Sequence, residues 1–105
     1  MMQIAEADWR RLSKLKPLAL ERICSRILQE VTRAASEQVG MSHERYLTIF
    51  GLIEQGDKQI GRAFDDLRRS NALSKLAEMR RMQLITEEEF EAFSDETRSA
   101  VAGMR

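Results

Sequence analysis

Between Tyr46 and Ser70 the chain keeps one spacing: Tyr46, Ile49, Ile53, Gly56, Ile60, Ala63, Leu67 and Ser70 recur in alternating steps of three and four. Only an α-helix turns such a series into a single stripe, so this segment is a helix with one seam along which it packs on another. The two seam positions differ in size. Tyr46, Ile53, Ile60 and Leu67 fill one, while the other runs Ile49, Gly56, Ala63, Ser70 and is small after its first member. Small residues at every second position let two backbones approach closely. The seam therefore predicts an interface made by Ile49, Ile53, Gly56, Ile60, Ala63 and Leu67.

The flanking sequence supplies helices on both sides. Asp8 is placed to cap a first helix from Trp9 to about Leu15, and Pro17 suits the first turn of a second, which puts a boundary near Lys16. Leu20, Cys24, Ile27, Val31 and Ala34 give that second helix an apolar stripe to about Gln38. Gly40 is then the left-handed stop and Ser42 the next N-cap. If the following helix runs from His43 to Gln83 it is roughly 60 Å long at about 1.5 Å per residue. A compact domain of this size has a radius of gyration near about 13 Å, so its own chain cannot cover such a rod and a second copy is expected to do so. The competing site for a break is Gly56-Asp57, a C′ glycine followed by an N-cap; against it, the seam keeps its phase through Gly56. After Ser70 the stripe shifts to Leu73, Leu76, Ala77, Met79 and Met82. Thr86 and Glu89 form a capping box for a short helix with Phe90 and Phe93, and Ser94 caps a last one ending near Gly103. The expected fold is all-α: a helical hairpin of residues 17–39 against 43–83, one long central helix with short N- and C-terminal helices, a single domain over residues 1–105, and an intersubunit helical bundle.

Composition agrees with helices rather than sheets: Ala, Leu, Glu, Arg and Met outnumber Thr and Val, and aromatics are 6%. The one cysteine, Cys24, allows no intramolecular disulfide, which fits a reducing compartment and hence the cytoplasm. No apolar run has the length of a membrane span or of a signal peptide's core. The 17 basic and 17 acidic residues cancel overall, but residues 1–83 carry 15 against 11 and residues 84–105 carry 2 against 6, a body of +4 and a tail of −4.

Reactive chemistry finds little purchase. His43 is the only imidazole and lies in a first helical turn, with no Ser or Cys nucleophile at a catalytic spacing. Cys24 sits in an apolar stripe as a small hydrophobe. Glu87, Glu88, Glu89 and Glu91 point in different directions around a helix, and no histidine pair or calcium loop accompanies them. Gly51, Gly56 and Gly61 are five apart and do not form a phosphate loop. Neither a metal nor a cofactor is expected. Phe50, Phe64, Phe90, Phe93 and Trp9 read as anchors between helices, although any exposed cluster of them would mark a partner site. Met79 and Met82 read as core filling. Arg10, Arg11 and Lys14, with Arg80 and Arg81, would contact nucleic acid if they converged on one surface. The function expected is that of a small non-enzymatic homodimer acting as a protein-interaction or regulatory module, with no membrane association; a nucleic-acid-associated regulator is the alternative.

Overall fold

In the computed structural model, which describes residues 3–37 and 40–104, five α-helices follow one another without strands among the described residues. α1 covers Glu6–Ser36, α2 Ser42–Phe64, α3 Ala72–Arg81, α4 Glu87–Glu91 and α5 Asp95–Ala102, with a 3-10 turn at Arg69–Asn71 before α3. The all-α hairpin is present, but its longest member is the first helix, not the central one.

α1 passes through Pro17 without a boundary. Leu12, Leu15, Ala19 and Ile23 stay in phase on both sides of the proline and are buried. That continuous buried stripe outweighs the roughly 3 kcal/mol that an interior proline costs. Pro17 is exposed, and so is Ser13, whose carbonyl loses its helical donor to the proline and can turn to water. The expected cap also changes partner. Asp8 lies inside the first turn of α1, the N-cap being Ala5, and its carboxylate instead reaches across to α5. It accepts from the Ser94 N–H (3.1 Å), the Ser94 hydroxyl (2.5 Å) and the Thr97 hydroxyl (2.6 Å). Burial alone would raise the Asp8 pKa, yet these three bonds prevail and hold it below the ordinary carboxylate value. Gln38 and Val39, where the end of this helix was expected, lie outside the described residues.

The rod expected from His43 to Gln83 is interrupted, though not at Gly56. α2 runs through Gly56 and ends at Phe64. Asp66 then adopts a left-handed φ of 54°, and the Asn71 side chain holds the turn by donating to the Asp66 carbonyl (2.7 Å) and accepting from the Arg68 N–H (2.9 Å). α3 folds back on α2, its Lys75 ammonium donating to the Arg62 carbonyl (2.9 Å) at the end of α2. The shift of the apolar stripe after Ser70 reflects this reversal. Leu73, Leu76, Ala77 and Met79 bury themselves with Phe64, Leu84, Phe90, Phe93 and Val101 on the lower half of α1.

Gly40 has a left-handed φ of 85°, while Ser42 is the first residue of α2 and Met41 its N-cap. At the far end the capping box forms: Glu89 accepts from the Thr86 N–H (2.8 Å) and the Thr86 hydroxyl from the Glu89 N–H (3.1 Å). The Ser94 hydroxyl caps α5 by accepting from the Thr97 N–H at 3.3 Å.

The result is a packed base from which the tips of α1 and α2 project as an arm. The radius of gyration is 16.6 Å and the principal extents are 52 × 25 × 22 Å, longer than a compact domain of about 13 Å radius. Within the arm Gly56 packs directly under Ile27: a Cβ added there would lie 2.5 Å from Ile27 Cδ1, whereas one at Gly51 meets nothing within 4 Å. Gly51→Ala should therefore raise stability by about 1 kcal/mol through helix propensity. Gly56→Ala should fall short of it by about 1–3 kcal/mol, because Ile27 must be displaced; chemical denaturation of both variants measures the difference. Asp8→Ala, which strands the Ser94 and Thr97 hydroxyls, should cost about 2–4 kcal/mol in the same measurement.

Candidate interaction surface

Two flanks of the α1–α2 arm can be told apart. On one, Ile23, Arg26 and Glu30 of α1 and Leu52, Gln55 and Gln59 of α2 line a cleft of about 250 Å³ that Met82 closes from the base. Turning roughly 100° per residue from those positions places Cys24, Leu28, Val31 and Ala35 of α1 beside Tyr46, Ile49, Phe50 and Ile53 of α2 on the opposite flank. This second flank is apolar and open. Leu28 is 63% exposed, Tyr46 62%, Phe50 54% and Ile53 52%. The Tyr46 and Phe50 rings lie 6.5 Å apart, tilted by 32°, so the aromatic surface is continuous. Ser25 and Thr32 are the polar α1 side chains at the outer edge of this flank, and on α2 His43 and the exposed Glu54, one turn beyond Phe50, stand at the same edge; among the described residues no acidic or basic side chain lies inside that edge between the arm's tip and Glu21 and Asp57.

The expected seam is divided between cover and exposure. Gly56 and Ala63 are buried, Gly56 under Ile27 of α1 and Ala63 within the core; Ile60 and Leu67 are half-buried against that core. The close approach that Gly56 permits is thus made with the chain's own first helix. Ile49 is half-buried and Ile53 exposed, so these two remain available. Phe50 and Leu28 were not among the expected interface residues. The signal for Phe50 was the excess of apolar side chains in α2: Tyr46, Leu47, Ile49, Phe50, Leu52 and Ile53 are more than one seam can cover. The other four aromatics behave as anchors, Phe64, Phe90 and Phe93 buried and Trp9 packed on the core under the Arg69 guanidinium, 5.3 Å from its ring centroid.

Two arginines one turn apart on α1 fix the arm to the base. Arg26 donates to the Met82 carbonyl (2.6 Å) and the Gln83 carbonyl. Arg22 donates to the Leu84 carbonyl (2.8 Å) and forks onto Glu89 with bonds of 2.7 and 2.9 Å. Gln83 is held left-handed, φ 59°, directly after Met82, the C-cap of α3. The Arg22 bonds, against some burial, pull Glu89 from an ordinary 4.5 down to about 2. Thr86 adds to the same effect through its own bonds.

The basic residues fall in two places. Arg10, Arg11 and Lys14 line a shallow hollow on α1 with Leu15 and Leu18. Arg80 lies 4.0 Å over the Phe90 ring and 4.0 Å from Glu87, and Arg81 pairs with Glu78 at 2.7 Å. No described cavity is lined by both sets. His43 is exposed on the first turn of α2, Cys24 is half-buried against the core, Met79 is buried and Met82 is half-buried. Among the described residues no group of three His, Cys, Asp or Glu side chains is arranged to hold a metal ion, and no helix is long and apolar enough to cross a membrane.

Comparison of the chain with protein-family models, with curated proteins and with solved structures finds no match.

Because Glu89 has a lowered folded pKa, its contribution to stability is present above pH 4.5 and is lost as pH falls toward 2. Glu89→Gln should flatten the loss of Tm between those limits and lower stability at neutral pH by about 1.5–3 kcal/mol; thermal melts of both proteins across the acid range measure it.

Proposed function

We propose that the chain is a small, non-enzymatic protein-interaction or regulatory module that works through the projecting α1–α2 arm. The observation that carries this reading is the open apolar flank formed by Leu28, Tyr46, Ile49, Phe50 and Ile53, on helices already braced against a packed base. Isolated exposed hydrophobics are ordinary, but a contiguous apolar patch on a protruding element marks a surface that another protein covers. The flank matches a helical partner, since parallel ridges on two helices offer a groove for the apolar face of further helices.

The nucleic-acid reading has weaker support. Arg80 and Arg81 are engaged by Phe90, Glu87 and Glu78, and Arg10, Arg11 and Lys14 are left as a small separate cluster. A neutral chain lacks the field that phosphate backbones reward. We place the module in the cytoplasm, consistent with a single cysteine that forms no disulfide.

A photo-crosslinking residue at Phe50, in the native cell, should give discrete protein adducts that disappear when Ile53→Glu is added. The same probe at Glu91, on the exposed side of the base, should give none. Equal labelling at the two positions, or none at Phe50, overturns the reading.

A further inference from the structure

We infer that the apolar flank of the arm is covered by a second copy of this chain, the two hairpins laying these flanks together as an antiparallel four-helix bundle with the bases at opposite ends. The inference rests on the reading of the arm as a docking element and adds the identity and orientation of what docks.

Area is the first argument. Leu28, Tyr46, Phe50 and Ile53 are each more than half exposed and leave about 100 Å² apiece uncovered. With Ile49, Val31, Ala35 and the short polar side chains between them, the flank offers on the order of 600–800 Å², close to the roughly 800 Å² per partner of a stable interface. Pattern is the second. Each arm helix carries one apolar stripe facing its neighbour, such as Ile27 against Gly56, and a second stripe on the same outer flank. Helices in a four-helix bundle have this doubled, wide stripe because each must meet two neighbours. A hairpin with both stripes is half of such a bundle, and another copy supplies the missing half with the same spacing. The heptad-like recurrence of Tyr46, Ile53 and Ile60 matches the shallow crossing angle of these bundles.

Charge selects the orientation. The centre of the flank is free of acidic and basic side chains, and Glu54 stands at its outer edge on the base side of Phe50, so antiparallel self-pairing sets no like charges face to face in the centre. Toward the base it is bounded by Glu21 on α1 and Asp57 on α2, both exposed. Two copies with their bases at the same end would bring four carboxylates together, a costly juxtaposition. Reversing one copy separates them and sets each acidic pair against the other copy's tip, where His43 stands. The midpoint of the reversed pairing falls near Phe50, so that ring meets its own counterpart across the two-fold axis, as an isologous contact requires.

Sedimentation of the purified full-length chain between about 1 and 200 µM tests the association. The expected result is a rise from 12.1 kDa toward twice that mass. Phe50→Glu should weaken the association at least about 100-fold, with helical circular dichroism unchanged, because Phe50 is already in solvent in the single copy. A wild type that stays at single-chain mass throughout, or a Phe50→Glu variant that still associates like wild type, overturns the inference. Orientation is read in a Cys24→Ser background by mixing His43→Cys with Ser25→Cys and adding a short bis-maleimide. Linkage between 43 and 25 should exceed linkage between 43 and 43, and the reverse overturns the antiparallel arrangement. A monomeric wild type that still crosslinks from Phe50 to a different protein refutes the second copy and leaves the docking element standing; absence of any Phe50 adduct refutes both.

Discussion

The length of α1 governs the rest of the molecule. Its 31 residues extend about 46 Å at about 1.5 Å per residue, nearly the whole 52 Å of the long axis. A 105-residue chain cannot surround a helix of that length. The three short helices gather on one half, where Leu12, Leu15, Ala19 and Ile23 are buried. The other half has only α2 beside it, and two helices side by side can each cover only one face of the other. An open apolar flank is the geometric remainder of that allocation.

Polar contacts work mainly at the joints. Arg22 and Arg26 satisfy the carbonyls of Met82, Gln83 and Leu84 where the backbone leaves α3, and Glu89 completes the clasp. Asp8 does the same for the start of α5 through Ser94 and Thr97. In both cases α1 supplies the side chain, and the terminal groups of short helices, which are poorly stable alone, acquire partners from it. The base is thereby tied to the helix that also forms the arm. Movement of the arm relative to the base would have to break charge-assisted bonds, which favours an arm presented rigidly to whatever covers it.

Local signals in the sequence were legible wherever a short-range rule governs. The Thr86–Glu89 capping box, the Ser94 cap, the left-handed Gly40 and the end near Gly103 all depend on residues within a few positions of one another. Pro17 and Asp8 followed the opposite course. Their local preferences, a helix start and an N-cap, were overridden by a buried stripe continuous through residues 12–23 and by hydroxyls more than eighty positions away. The reversal after Phe64 is intermediate: the phase shift beyond Ser70 reported it, but a turn built on Asp66 and Asn71 lacks the glycine that usually announces one. For the candidate site, the periodicity set Ile49 and Ile53 on one stripe with Gly56 and Ala63. It could not tell which members of that stripe the chain itself would cover, because a seam facing a partner in the same chain and one facing another copy have the same spacing.

The sequence by itself determined that the chain is helical, where its last two helices begin, and that α2 carries more apolar surface than one contact can use. Those properties follow from spacing, capping chemistry and composition, which act over one or two helical turns. Only the tertiary structure decided that α1 is continuous, that Gly56 packs against it and Ala63 lies in the core, and that Leu28, Tyr46, Phe50 and Ile53 are left in solvent. Those outcomes depend on which buried stripe finds the largest apolar area within reach, a competition among distant segments that no local pattern records.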